Sequence, residues 1–422
     1  MATNILKILR SLTPGNRPSS RVYGEPYVNL GENQFGVMNA SNVPQDLLAA
    51  TNYSTSVNYA LNQVVNYSGQ LYICTAATTA GAFNPAQWSP LFAWRDYGGG
   101  FVNKFRNGSF KLWQRHGTAY TCPSSTLVMV ADGWYNYFDQ ASCIVQDNGS
   151  HQMQIIGSSS ALTQCLIQQR IPSDSSITLG GINCTFQIAI FNSTGATFTP
   201  TLTIFYANTK DNWASSTTAL AATNLQPCAN GVWTTVAYTF NVPAAQAALG
   251  LAFRLSIPGA AINSNTKSVI LANADVRLTP SFPVGLCAYP PPPEIFPMAI
   301  EQQLCQRFYE KSYDLTTAPG TVTSTGAAFL YQLISGTGVN LYTMSGSHDY
   351  KVKKFALPTL MPYSPTSGAA GYVHDAQNNG DIASPNWSFL SPGTSGFHIV
   401  VQVITPATIA NLQYHWTADC EL

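Results

Sequence analysis

The chain has 422 residues, enough for about three domains, and only 9% are charged, against roughly 25% in an ordinary soluble protein. With 45% hydrophobic and 12% aromatic residues it is not a disordered chain. Nineteen Lys and Arg balance nineteen Asp and Glu, which excludes the clustered positive charge of a duplex-binding domain, and no apolar run is long enough for a membrane-spanning helix.

In chain order, Ile5, Ile8, Leu9 and Leu12 share one helical face, so residues 4–12 predict a short amphipathic helix that docks on a partner. Thr13-Pro14-Gly15 ends it. Lys7, Arg10, Arg17 and Arg21 read as a solvated arm. The first twelve residues lack a secretory apolar core and cleavage site, so synthesis and retention in a cytoplasm, or exit without this route, are expected. A polar, extended stretch follows to about Leu48. Residues 51–95 predict a small module resting on a few aromatics. Arg95 to Gly100 reads as a flexible joint.

Residues 101–280 carry the clearest strand signals. Phe186, Ile188 and Ile190 alternate with Gln187 and Ala189, and Leu202, Ile204 and Tyr206 with Thr203 and Phe205. Val236, Tyr238, Phe240 and Val242 do the same, as do Leu251, Phe253, Leu255 and Ile257 around Arg254 and Ser256. Period two with frequent turns predicts an antiparallel sandwich of two sheets. Four prolines, Pro290 to Pro293, suggest a stiff boundary. A helix is expected over about 297–312, opened by Pro297, with Ile300, Leu304 and Phe308 in register. Strands return after Gly320, the best at Phe397, Ile399, Val401 and Val403. The fold class is therefore mainly β: tandem antiparallel sandwiches, a short N-terminal anchor and one internal helix.

Nine cysteines stand at wide spacings with no C-x-x-C pair, so most are read as small buried hydrophobes. Nothing points to catalysis. No Glu occurs between Glu32 and Glu294, which would leave a hydrolytic pair in the central sandwich to Asp alone. Ser347-His348-Asp349 are consecutive, and neighbouring side chains diverge too far to act as a triad. The six histidines lack metal-ligand spacing, and there is no nucleophile elbow, Walker loop or zincin helix.

Four phrases together resemble bacteriophage fibre proteins. The first is Arg21 to Leu30 with Asn33 to Val37, similar to a "G-E-x-x-V-N" opening. The second is the 51–95 module, which resembles small chitin-binding-like modules. The third is Asn103 to Phe110, Trp113-Gln114-Arg115 and Ala131 to Trp134, similar to the start of a jelly-roll domain of phage tail proteins. The last is Cys305 to Tyr313, similar to a "C-Q-R-Y-Y-x-K-S-Y" phrase with Phe308 in place of the first Tyr. The resemblance implies a homotrimeric virion protein, assembled in the bacterial cytoplasm and joined to other virion proteins by residues 1–50. It implies a 101–280 jelly roll and an outward 294–422 domain, a host-surface polysaccharide as partner, and no nucleic acid or enzymatic role. Two alternatives stay open: a non-adhesive head fibre or capsid decoration protein, and a secreted multi-module carbohydrate-binding protein.

Sugars stack their C–H faces on aromatic rings. Tyr67, Tyr72 and Trp88 match the aromatic positions of the small module, although Tyr72 and Trp88 are favoured as its core. Tyr363, Tyr372 and Trp387, in polar loops, are the receptor-contact candidates, since binding sites tend to sit on loops of a rigid scaffold. Trp416 is read as core. Jelly-roll carbohydrate-binding modules often hold a structural calcium between a first-strand loop and a last-strand Asp, which makes Asn107 and Asp275 a candidate pair; no other cofactor is expected. Calcium needs six to eight oxygens, and only two residues offer themselves.

Overall fold

A computed structural model of the chain describes four short strands between residues 9 and 46. It also describes residues 51–90 apart from 62, 68–69 and 85–86, and residues 102–422 apart from 160, 334–339 and 406–408. Two compact units result, Met1–Arg95 and Asp96–Leu422.

In the first unit, Leu9–Ser11 pairs in parallel with Pro26–Asn29, which continues antiparallel through Gln34–Met38 to Pro44–Asp46. This corrects the helix expected over 4–12: Leu9 stands on a strand, while Ile5, Ile8 and Leu12 lie outside the described residues. So short a helix cannot offset its own nucleation cost, and strand pairing supplies the backbone with partners. A second four-stranded sheet holds Thr51–Asn52, Val64–Tyr67, Gln70–Cys74 and Trp88–Pro90. Tyr59, Val65, Tyr72, Cys74 and Trp88 form its core, with Tyr53 and Phe83 packed on it.

The second unit begins with two facing antiparallel sheets. The seven-stranded sheet runs Gly285–Leu286, Trp233–Asn241, Asn183–Ser193, Ser268–Leu278, Met153–Ile156, Cys143–Asp147, Ala119–Cys122. The six-stranded sheet runs Val128–Met129, Trp134–Phe138, Gln164–Ile171, Leu251–Pro258, Thr201–Thr209, Asn212–Asn224. The alternation read from the sequence decides which side chains meet between them. Phe186, Ile188, Ile190, Leu202, Ile204, Val236, Phe240, Leu251, Phe253, Leu255 and Ile257 all enter one core.

Gln187 is also buried, on the opposite face of its strand, because the chain after the sandwich doubles back over the seven-stranded sheet. Gln187 Nε2 donates to Pro291 O (2.6 Å), the Cys287 amide to Ala237 O (3.1 Å) and the Glu294 amide to Asp275 Oδ2 (2.7 Å). The four prolines thus form a strap along a sheet face. Proline suits that place, since its carbonyl accepts while its nitrogen has no proton to satisfy.

The helix is Met298–Gln306, capped by Pro297, and is shorter than the expected 297–312. Tyr309–Lys311 instead pairs with the last strand, Ile409–Asp419, which draws Phe308 and Tyr309 into buried positions. Ile409–Asp419 also pairs with Ala328–Leu333, Thr359–Tyr363 and Tyr372–Asp375, the last extended by Gly380–Ala383. Facing them, Asn340–Asp349, Gly396–Thr405 and Trp387–Leu390 form a three-stranded sheet. Met344, Val373, Phe397, Ile399, Val401, Leu412, Tyr414 and Trp416 fill the space between, so Trp416 is core as expected.

The two sandwiches meet through the phrases singled out in the sequence. Arg106 lies over the Phe308 ring (3.9 Å) and pairs with Glu421. Arg115 lies over Tyr309 (3.9 Å) and pairs with Asp419 and with Glu421 (3.3 Å). Lys311 Nζ donates to Gln114 O (2.7 Å), Leu315 O (3.0 Å) and Thr317 O (2.5 Å). Glu301 Oε2 accepts from the Asn107 amide (2.5 Å). Stacked, hydrogen-bonded arginines with carboxylate partners make a stiff joint.

Candidate ligand-binding surfaces

The outward face of the six-stranded sheet is set by register. Gln168 lies opposite both Tyr135 and Arg254, Thr203 opposite Arg254, Ala252 opposite both Arg170 and Phe205, and Tyr137 opposite Leu166. Arg254 stacks on Phe205, its guanidinium carbon 4.5 Å from the ring centre, and its Nε donates to Gln168 Oε1 (2.9 Å). Gln168 is only 4% exposed, so it holds Arg254 in place rather than meeting a ligand itself. Beside it Arg170 lies between the rings of Tyr135 (4.6 Å) and Trp213 (5.4 Å) and is bonded to the Leu422 carbonyl. Burial and the Arg170 charge hold Arg254 below the usual guanidinium range. The result is an aromatic and guanidinium platform edged by amides and hydroxyls. Sequence reading placed Phe205 and Arg254 as the alternating partners of core residues and went no further. The usable signal was an arginine and an aromatic at outward positions of two strands that proved to be neighbours.

Tyr363, Tyr372 and Trp387, expected in polar loops, stand instead at the ends of the strands Thr359–Tyr363, Tyr372–Asp375 and Trp387–Leu390, where backbone pairing claims them, and gather around residues 364–371. Tyr363 bridges to Ala370, Tyr372 follows the loop at 36% exposure, and the Trp387 indole donates to Gly371 O (2.8 Å). Trp387 also packs on the core, so its ring is partly committed. Asp381 organises the loop, accepting from Ser364 Oγ (2.7 Å) and Ser367 Oγ (2.5 Å) and lying 2.9 Å from His374 Nδ1. Burial alone would raise this carboxyl, but these hydrogen bonds and His374 hold it below the usual range.

In the small module Tyr72 and Trp88 are core residues, the reading already favoured for them. Tyr67 is different: it is 39% exposed and stacked flat on Phe83, with ring centres 3.9 Å apart.

The structure does bring residues 107–108 beside 274–275. The Ala274 amide donates to Gly108 O (2.8 Å), and a Cβ on Gly108 would lie 2.4 Å from Ala274 O, so only glycine fits. The oxygens proposed for calcium have other partners. Asn107 Oδ1 accepts from the Leu112 amide (3.0 Å), and Asp275 pairs with Arg277 and accepts from Glu294. Among the described residues no group of three or more His, Cys, Asp and Glu could hold a metal ion. Ser347 and His348 diverge as expected: Ser347 Oγ meets His398 Nε2 (2.8 Å) and His348 bonds the Tyr414 hydroxyl.

No family model and no curated protein matches the chain. Several solved structures resemble part of it. One is the CBM22-1–GH10 pair of Clostridium thermocellum endo-1,4-beta-D-xylanase 10B complexed with xylohexaose: 14% identity, TM-score 0.25, over 42% of this chain and 29% of that one. A second is the CBM22-2 xylan-binding domain of Paenibacillus barcinonensis Xyn10C: 14% identity, TM-score 0.25, over 42% of this chain and 99% of that one. A third is an arabinose-bound α-L-arabinofuranosidase, MgGH51: 15% identity, TM-score 0.26, over 46% and 29%. Likenesses this slight assign no ligand and no residue roles.

Proposed function

We propose that the chain is a non-catalytic, multi-module protein that binds polysaccharide, with the outward face of the six-stranded sheet as its principal contact. The observation that carries this reading is the Phe205–Arg254–Gln168 platform: the flat stack of a ring and a guanidinium for sugar C–H faces, with the open guanidinium N–H donors for hydroxyls, held in place by the buried Gln168 amide. Such a pairing of apolar surface with few placed polar groups is what a saccharide site requires. Tyr67 in the small module and Tyr372 in the C-terminal sandwich offer secondary contacts. Affinity electrophoresis of the full chain through a panel of soluble polysaccharides tests the reading. At least one should retard the wild type, and Phe205→Ala should weaken retardation about tenfold, roughly 1.4 kcal/mol. A Phe205→Ala chain that binds as the wild type does would overturn it.

A second reading places the same protein in a virion, as a fibre attached by residues 1–50. The four sequence phrases favour it, and two of them meet in the joint between the sandwiches, where a fibre needs stiffness. Here the expected partners are two further copies and other virion proteins. Light scattering should then give a mass near three times 45.4 kDa. A monomer would favour a soluble binding protein or a decoration protein over the fibre.

A further inference from the structure

We infer that Arg254 receives a carboxylate of the ligand, so that the polysaccharide bound on the central sandwich is one built from uronic acid units. The inference rests on the polysaccharide reading and specifies its ligand. Three observations carry it. First, Arg254 donates only through Nε: among the described residues its two terminal nitrogens make no hydrogen bond. A guanidinium fork with both terminal nitrogens open is the geometry that takes a carboxylate with two parallel hydrogen bonds. Second, the fork is already ordered, by the Phe205 ring beneath it and by Gln168 beside it, so little side-chain freedom is lost on binding. Third, the charge is uncompensated. The outward positions around it are Tyr135, Tyr137, Leu166, Gln168, Arg170, Ala252, Ser256, Thr203 and Phe205, which include a second cation and no acid. Acids just beyond the strand ends are engaged elsewhere: Asp139 by Thr163 and Gln164, Asp174 by Arg307 and Asp211 by Ser173. Arg170 is taken up by the Leu422 main-chain oxygen, whereas Arg254 has no acidic side chain beside it, a local positive charge that an anionic ligand would neutralise.

The experiment compares the full chain on polygalacturonate, on the same polymer with its carboxyls methyl-esterified, on alginate and on neutral xylan. The wild type should bind one of the acidic polymers at least about tenfold more tightly than the neutral ones. Its affinity should fall with added salt, as expected for a partly exposed charge pair. Arg254→Gln should erase the preference, bringing the affinity for the acidic polymer down to that for the esterified one. Arg254→Lys should restore only part of it, because an ammonium lacks the fork. Equal or stronger binding to the neutral polymers, or a preference that survives Arg254→Gln, overturns this inference. Sensitivity of that neutral binding to Phe205→Ala would still support the polysaccharide reading. Failure to bind any polymer overturns both.

Discussion

Glu301 places a carboxyl at the joint between the sandwiches with 1% of its surface exposed. Burial raises it to about 7, although the amides of Asn107 and Gly108 and the Lys111 charge pull it down. The native state therefore holds its proton more tightly than the unfolded chain does. Stability from this group is fully present below the ordinary 4.5 and is lost as pH rises through about 7. Thermal unfolding of unit 96–422 should accordingly be less stable at pH 8 than at pH 5, by on the order of 3 kcal/mol from this residue. Glu301→Gln, neutral at both, should flatten that difference; an unchanged pH slope in the variant would remove Glu301 as its source. Arg115 is the other residue whose loss should be felt. Arg115→Ala uncovers Tyr309 and takes a partner from Asp419, whose side chain is 37% exposed and so partly screened by solvent, and the loss should stay below about 3 kcal/mol. Arg115→Lys should recover only part, since it keeps the charge and loses the planar stack.

At the scale of the element, period-two alternation was legible because it is local: each strand of the central sandwich announces its buried face in its own residues. Residues 9–11 of the helix expected over 4–12 were misread for the converse reason. Nine residues with apolar spacing fit a helix or a strand, and the choice was made by Pro26–Asn29, a partner that periodicity cannot see. The shortened helix at 298–306 has the same cause, since Tyr309–Lys311 is drawn into pairing with residues 417–419. The platform at Phe205 and Arg254 stayed hidden because strand neighbours in the sheet are not neighbours in sequence. The cysteines, by contrast, read correctly as small buried hydrophobes, seven of the nine being buried. Cys122 and Cys143 are directly opposed on adjacent strands, and burial pushes Cys122 up to about 12, so its thiolate is scarce at neutral pH. Brief iodoacetamide treatment of the native protein followed by peptide mass mapping should therefore modify Cys287 and Cys420 first. Cys122, Cys143, Cys165, Cys184, Cys228 and Cys305 should react only after unfolding. Rapid native labelling of Cys122 would show that the sheet edge opens there.

For the molecule as a whole, the phrases picked out in sequence marked the joint but not its meaning. Trp113-Gln114-Arg115 and Cys305 to Tyr313 read as openings of separate domains; in space they are the two sides of one interface. The strap of residues 285–294 adds a second tie, along the seven-stranded sheet. Residues 96–422 should consequently unfold as a single cooperative body rather than as two independent sandwiches. Calorimetry should give one transition for this unit in the wild type and two in Arg115→Ala. Two well-separated transitions in the wild type would count against a stiff joint.

The ion pair of Arg106 with Glu421 joins residues 315 positions apart. Ribosomes add about 5–20 residues per second, so roughly 15 to 60 s separate the synthesis of its two ends. Throughout that interval the nascent central sandwich carries Arg106 and Arg115 without the acids that cover them. Glu301 and the strap are added on the way, and residues 419–421 only after them. A ribosome stalled before codon 419 would therefore hold a sandwich whose sheets are complete and whose joint is open. The next three codons would supply the residues able to close it.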